Sequence, residues 1–385
     1  MKNRPLISSS NDEDNDKWCN LPRELLELIF SHLSYGDQAI FHTVCKRWQT
    51  IKIPPPRHPI PLPSFEDMDP SSPWLISFPV INANGKCIFF NPINNQTYET
   101  CIPELSHSKI LFAKYGWLLM IPDYNKIPFL FELVTRKKIL LPEIDVGWAW
   151  HAMSFTCSPN SSDCLVTALS IFSGICCVFV HKLGDGDLGG WNEYSIILPD
   201  SFDLSDLITG YVPAFYKGKY YCLDRNGNLY IFDPRDVIAS TLYRLNPDDG
   251  IPILDICPKG GSSAHQIFMV ENEGDLLAIF ITKCGRIVHV YRWDESAFRF
   301  CLVENLGNNN MLFISNGAVF SKKAVARATG NRIYFPCFFD RKGPYASYSL
   351  ATKSYHSFYG GYSQMNSYGL RELRTAFWFS IDQCQ

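Results

Sequence analysis

The sequence predicts a two-part protein, a small all-α segment followed by an all-β domain, on three observations. Leucines at helical spacing are confined to the first fifty or so residues, a dense proline run follows at 54–63, and short strand-like runs broken by Gly, Pro, Asn and Asp fill the remainder. The 385 residues suffice for one small and one large domain. With 46% hydrophobic, 14% aromatic and 19% charged residues, the chain has the apolar surface an ordered protein needs to offset its conformational entropy.

Taken in order, residues 1–17 are expected to be disordered, since Asn11–Asp16 is a polar, acidic stretch with nothing to bury. Residues 18–53 carry Leu21, Leu25, Leu28, Ile29 and Leu33 at three- and four-residue spacing. Pro22 suits a first helical turn, and Glu24 and Glu27 lie near its positive end. After Ser34-Tyr35-Gly36, Asp37 can cap a second run with Ile40, Phe41, Val44 and Trp48, ending near Ile51. A segment this short, with no metal or disulfide pattern, cannot bury a self-sufficient core, so another protein or the neighbouring domain is expected to complete it.

Residues 54–73, opening on Pro54-Pro55-Pro56, read as a semi-rigid spacer of extended polyproline geometry. Residues 74–385 read as β throughout. The segments Phe215–Asp233, Ile267–Trp293 around Glu273-Gly274, and Ile333–Leu350 around Asp340–Gly343 each pair two β-rich runs through a charged turn with glycine. Dividing about 310 residues by a four-strand period of about 45–50 gives an irregular β-propeller of about six or seven blades, with a pair of β-sandwiches as the alternative architecture. The apolar run Ile171–Val180 reads as one buried strand, about half the length of a membrane span.

Several function classes lose support at once. A net charge of −3 leaves no basic surplus to release counterions from nucleic acid. No leader-like apolar stretch or 18-residue apolar run occurs, so a soluble, non-secreted protein of cytoplasm or nucleus, without a membrane partner, is expected. The 14 cysteines form no Cys-x-x-Cys pair, and Cys87, Cys164, Cys222 and Cys284 sit in apolar runs, so they read as small buried hydrophobes in a reducing compartment. The G-x-G-x-x-G match at Gly184–Gly189 precedes the strand-like Trp191–Ile197 where a nucleotide site needs a helix, and reads as a hairpin loop. His151 beside Trp148 and Trp150 reads as a packed or loop residue. Arg136-Lys137-Lys138 reads as a solvated turn. No catalytic signature, metal or cofactor is expected.

Leu21-Pro22-x-Glu24-Leu25, Ile29, Leu33, Asp37 and Val44-Cys45-Lys46-Arg47-Trp48 fall in an order and spacing that resemble the F-box. Gln38 departs from the leucine usual there. The resemblance implies docking on the Skp adaptor of a cullin-RING ubiquitin ligase through Leu21, Pro22, Leu25, Ile29, Leu33, Val44, Cys45 and Trp48. Farther on, Phe90–Asn94, Gly116–Leu119, Val212–Tyr221, Leu312–Ser315 and Gly330–Phe335 resemble the KIB-type β-propeller of plant F-box proteins. Together these imply a non-catalytic substrate receptor whose propeller holds an unidentified target protein. The alternative is a propeller enzyme or carbohydrate-binding protein with a structural helical cap. The aromatics Tyr345, Tyr348, Tyr355, Phe358, Tyr359, Tyr362 and Tyr368 are either blade core, the favoured reading, or a recognition surface.

Overall fold

A computed structural model describes residues 18–32, 41–51, 59–62, 64–65, 68–77, 85–93, 95–123, 127–144, 152–172, 175–184, 189–197, 213–223, 229–243, 266–281, 288–324, 329–336, 345–357 and 376–381. Among them, six sheets of four or five strands form a six-bladed propeller. Blade 1 holds β1 (Ile60–Pro61), β2 (Trp74–Ser77), β3 (Lys86–Asn91) and β4 (Gln96–Cys101). Blade 2 holds β5 (Ser108–Lys114), β6 (Trp117–Pro122), β7 (Phe129–Glu132) and β8 (Lys138–Leu140). Blade 3 holds β9 (Ala152–Phe155), β10 (Leu165–Phe172), β11 (Ile175–Lys182) and β12 (Asn192–Ile197). Blade 4 holds β13 (Ala214–Tyr216), β14 (Lys219–Leu223), β15 (Leu229–Asp233) and β16 (Asp236–Tyr243). Blade 5 holds β17 (Gln266–Asn272), β18 (Asp275–Ile281), β19 (Val288–Asp294) and β20 (Arg299–Val303). Blade 6 holds β21 (Asn310–Ser315), β22 (Ala318–Lys323), β23 (Arg332–Pro336), β24 (Tyr345–Ser349) and β25 (Ser354–Ser357), and β26 (Ala376–Phe379) returns to pair with β2 of blade 1.

Strand periodicity builds the ring. Successive side chains of a strand point to opposite faces, and here each face of a blade meets a different neighbour. On β6, Leu118 and Met120 pack toward blade 1 while Trp117 and Leu119 pack toward blade 3. On β18, Leu276, Ala278 and Phe280 face blade 4, and Leu277, Ile279 and Ile281 face blade 6. On β21, Leu312 and Ile314 face blade 5, and Met311 and Phe313 face blade 1. Because both faces are buried, these strands read as unbroken apolar runs without polar alternation. The last strand shuts the circle: Phe377 and Phe379 join the core with blade 2, and Trp378 joins the core with blade 6. The Trp378 N–H also donates to Ser315 Oγ at 3.0 Å.

Two-residue turns join the inner strands to their neighbours. Tyr115-Gly116, Lys217-Gly218 and Glu273-Gly274 all have positive φ at both positions, the geometry that matches the strand twist and that glycine adopts at no steric cost. The glycine-bearing hairpins expected at 215–233 and around 273–274 are thus present. Blade 6 is irregular: β21 turns into the inner strand β22, and the chain then lays β23 parallel to β21 before β24 pairs antiparallel. Gly317 in the β21–β22 turn accepts the Ala113 N–H at 2.8 Å, and a Cβ on it would lie 2.7 Å from Leu111 O.

Two expectations need correction. The run Ile171–Val180 is not one strand; it divides between β10 and β11, which pair antiparallel. The expected spacer is partly folded onto the propeller: β1 pairs parallel with β4, and Met68 is buried with Leu62 and Phe65 against the blade 1–2 core. Residues 52–58 lie outside the described ones. Arg136-Lys137-Lys138 does join β7 to β8 with Lys137 and Lys138 exposed, and the cations also lie over rings, Arg136 4.7 Å over Phe65, Lys137 5.8 Å over Trp117 and Lys138 4.1 Å over Phe129.

The N-terminal helices form their own small core. Helix α1 (Arg23–His32) starts just after Pro22, whose carbonyl accepts the Leu26 N–H at 3.1 Å. Leu26 and Phe30, one turn apart, are buried with Phe41, Trp48 and Ile51. The second helical run is broken, because Cys45 is extended (φ −160, ψ 169) and a separate short helix, α2 (Lys46–Gln49), follows it. Leu33, Asp37, Gln38 and Ile40 lie outside the described residues, as do residues 1–17.

Candidate functional site

Helix α1 has two apolar faces. One, Leu26 and Phe30, packs on Phe41 and Trp48, with the Phe30 and Phe41 rings edge-to-face at 5.1 Å and Phe41 4.3 Å from Trp48. The other stays open, with Leu25 and Leu28 46% and 54% exposed; elsewhere in the unit Val44 and Trp18 are 49% and 60% exposed. A helix buries an apolar face or pairs it with something else, and polar residues normally occupy the solvent side. Four large apolar side chains exposed on so small a unit are the signature of a docking surface.

The eight expected docking residues therefore divide. Pro22, Leu25 and Val44 are exposed; Leu21, Ile29 and Cys45 are half-buried against the small core; Leu33 lies outside the described residues. Trp48 is 9% exposed, its ring tilted against Phe41, and its Nε1 donates to Trp18 O at 3.1 Å, so in this structure it packs in the small core. The sequence reading passed over Trp18 and Leu28 as docking candidates. Leu28 is part of the three- and four-residue spacing but could not be assigned to the open face without knowing that Leu26 and Phe30 take the inner one. The Cys45 thiol is pulled below its ordinary range, chiefly by the backbone N–H groups of Trp48 and Arg47.

The propeller offers a second concave feature, a central channel of about 410 Å³. Every blade lends a residue to it: Phe112 from blade 2, Phe155 from blade 3, Phe215 from blade 4, Met269 and Glu271 from blade 5, Phe320 from blade 6 and Ser380 next to β26 of blade 1. In the wall, the Tyr220 hydroxyl sits 3.1 Å from Ser154 Oγ, which is itself 3.1 Å from Thr167 Oγ1, and burial pushes the phenol upward. At the channel, Glu273 is held by Lys323 and by Asn310, whose Nδ2 donates at 2.7 Å. Of the two channel-lining carboxylates, one is thus committed to structural partners.

The remaining candidates resolve simply. Tyr345, Tyr348 and Tyr355 are buried between blades, as the core reading has it; Phe358, Tyr359, Tyr362 and Tyr368 lie outside the described residues. So do His151 and residues 185–188 of the glycine-rich match, although the strand expected after it is present as β12. Cys87, Cys164 and Cys176 are buried and desolvation raises each thiol to about 12, which makes them packing residues. Among the described residues no cluster of His, Cys, Asp or Glu could hold a metal, and no helix is long and apolar enough to cross a membrane.

Comparison with known proteins adds two domain matches: a KIB1-4 beta-propeller over residues 89–361 and an F-box domain over residues 18–57. The F-box/kelch-repeat protein At1g57790 of Arabidopsis thaliana is 25% identical over 90% of this chain and 91% of its own length. The F-box/kelch-repeat protein At3g18720 of the same plant is 25% identical over 67% of this chain and 63% of its own length, so the chain spans just under two thirds of that relative. The F-box protein At1g49360 is 26% identical over 87% of this chain and 67% of its own length. Among solved structures, a chain of a nidogen/laminin complex aligns with 81% of this chain and 100% of its own at 11% identity and a TM-score of 0.41, too loose a likeness to bear on function.

Proposed function

We propose that this chain, which belongs to the KIB1-4 β-propeller family and carries an F-box ahead of its propeller, is the substrate-recognition subunit of a Skp-cullin-F-box ubiquitin ligase. The observation that carries the reading is the exposure of four large apolar side chains, Leu25, Leu28, Val44 and Trp18, on a helical unit whose Leu26 and Phe30 face is already packed. Completing the burial of one half-exposed side chain is worth about 1 kcal/mol at about 25 cal/mol per Å². Several such side chains, with the rim contacts around them, are what an adaptor groove must supply to offset the cost of association.

In this reading the chain makes no bond. The F-box binds the Skp-type adaptor, the adaptor joins the cullin-RING ligase, and the propeller holds a target protein near ligase-bound ubiquitin, so that catalysis by the other subunits gains from proximity. The complex works in cytoplasm or nucleus, without nucleic acid, membrane or cofactor.

The test is co-purification of the full chain with the adaptor, comparing wild type with Leu25→Asp/Val44→Asp. Both residues are exposed, so the variant keeps its fold while losing the adaptor. Wild-type chain that fails to hold the adaptor, or a variant that holds it equally well, contradicts the reading. Trp48→Ala is a poor probe, because it would report unfolding of the helices.

A further inference from the structure

The channel wall combines aromatic rings with one uncommitted carboxylate. Of its rings, Phe215 of blade 4 and Phe320 of blade 6 are half-buried and line the space, while Phe112 and Phe155 are buried in the core between blades 2 and 3 and back the wall. Each is fixed by another ring: Phe112 meets Phe155 edge-to-face at 4.9 Å, Phe215 meets Tyr220 at 5.1 Å, and Phe320 stacks on Phe313 at 5.2 Å. Aromatic faces carry negative potential and attract a cation within about 6 Å, more strongly where water is displaced.

Glu271 stands beside them on β17. It is exposed at the channel, and no described cation pairs with its carboxylate, whereas Glu273 two residues on is taken by Lys323. The lining cation, Lys114, lies 4.7 Å over the Tyr115 ring. A channel of about 410 Å³ is large enough for a single long side chain and the backbone that bears it.

We propose that this channel receives a basic side chain, arginine foremost, from an exposed segment of the target protein. The planar guanidinium stacks on the aromatic wall and offers its N–H fork to Glu271; a lysine ammonium offers a point charge without the stacking plane. The assignment of that side chain to a protein target rests on the substrate-receptor reading. The affinity of the channel for a guanidinium does not, and it is measured without reference to the adaptor.

The experiment titrates capped pentapeptides, acetyl-Gly-Ser-Xaa-Ser-Gly-amide with Xaa as Arg, Gln, Phe or Glu, into the full chain by calorimetry. The Arg peptide is expected to bind about tenfold more tightly than the Gln peptide. Glu271→Gln removes that preference with no change in melting temperature, since the residue is exposed, and Phe320→Leu weakens the Arg peptide more than the Gln peptide. Equal binding of Arg and Gln peptides, a preference for Phe over Arg, no binding of any peptide, or an Arg preference that survives Glu271→Gln would each overturn the proposal. Because adaptor co-purification is read separately, loss of the channel preference and loss of the ligase role are distinguishable.

Discussion

The helices and the propeller solve the same problem to different degrees. In the propeller every blade buries both faces, and the ring has no free end because β26 enters blade 1 beside β2. In the helical unit, among the described residues, the core comes to Leu26, Phe30, Phe41, Trp48 and Ile51, while Leu25, Leu28, Val44 and Trp18 are exposed. The propeller is complete in itself and the helical unit is not. Under the proposed function that asymmetry fits two roles: the exposed apolar side chains suit a constant partner, and the closed ring suits a frame whose channel and loops meet a variable one.

The largest effect should come from opening the ring. Trp378 is wholly buried between blades 1 and 6, with rings of Phe313 at 4.9 Å and Tyr345 at 5.7 Å. Trp378→Ala is expected to cost about 3–5 kcal/mol of propeller stability by urea denaturation. A loss under about 1 kcal/mol would show that closure by β26 is not what holds the ring.

Next is the inner face of the helices. Phe41→Ala removes a ring that contacts both Phe30 and Trp48. It should unfold the helical unit, seen as rapid proteolysis within residues 18–51, while the propeller's denaturation midpoint stays put. A shift of both together would mean that the two parts share one cooperative unit.

A smaller effect concerns blade 6. Burial, and then Arg332, depress His356 to about 4 from an ordinary value of 6.5. The unfolded chain therefore takes up a proton that the folded chain refuses as pH falls through that window, and stability contributed above 6.5 is lost progressively toward 4. The ring is only about half buried, so the slope is modest, and His356→Asn should flatten it in thermal melts between those pH values. The smallest change in stability, within about 0.5 kcal/mol, is expected for Leu25→Asp, although that variant should lose the adaptor.

Much of this was legible in the amino-acid sequence where the signal is local. The Glu273-Gly274 turn, the Phe215–Asp233 hairpin and the expected range of six or seven blades need only neighbouring residues, and six blades are present. The F-box stretch was read from its own spacing. What escaped the sequence depends on distant contacts. Nothing local tells that Ala376–Phe379 returns to blade 1, that β23 lies parallel to β21, or that Ile60-Pro61 adds to β4. On α1 the apolar residues fall on both sides of the helix, and only the positions of Phe41 and Trp48 decide that Leu26 and Phe30 face inward and Leu25 outward. The channel was invisible for the same reason, since its wall is assembled from strands more than 200 residues apart in sequence, Phe112 to Phe320.

The measurement that tests the central claim most directly is hydrogen–deuterium exchange of the full chain with and without the purified adaptor. An incomplete helical unit completed by its partner predicts slowed exchange confined to residues 18–51, strongest across α1, with the propeller strands unchanged and already slow. Equal exchange of residues 18–51 in both states, or protection that appears on the propeller instead, would contradict it.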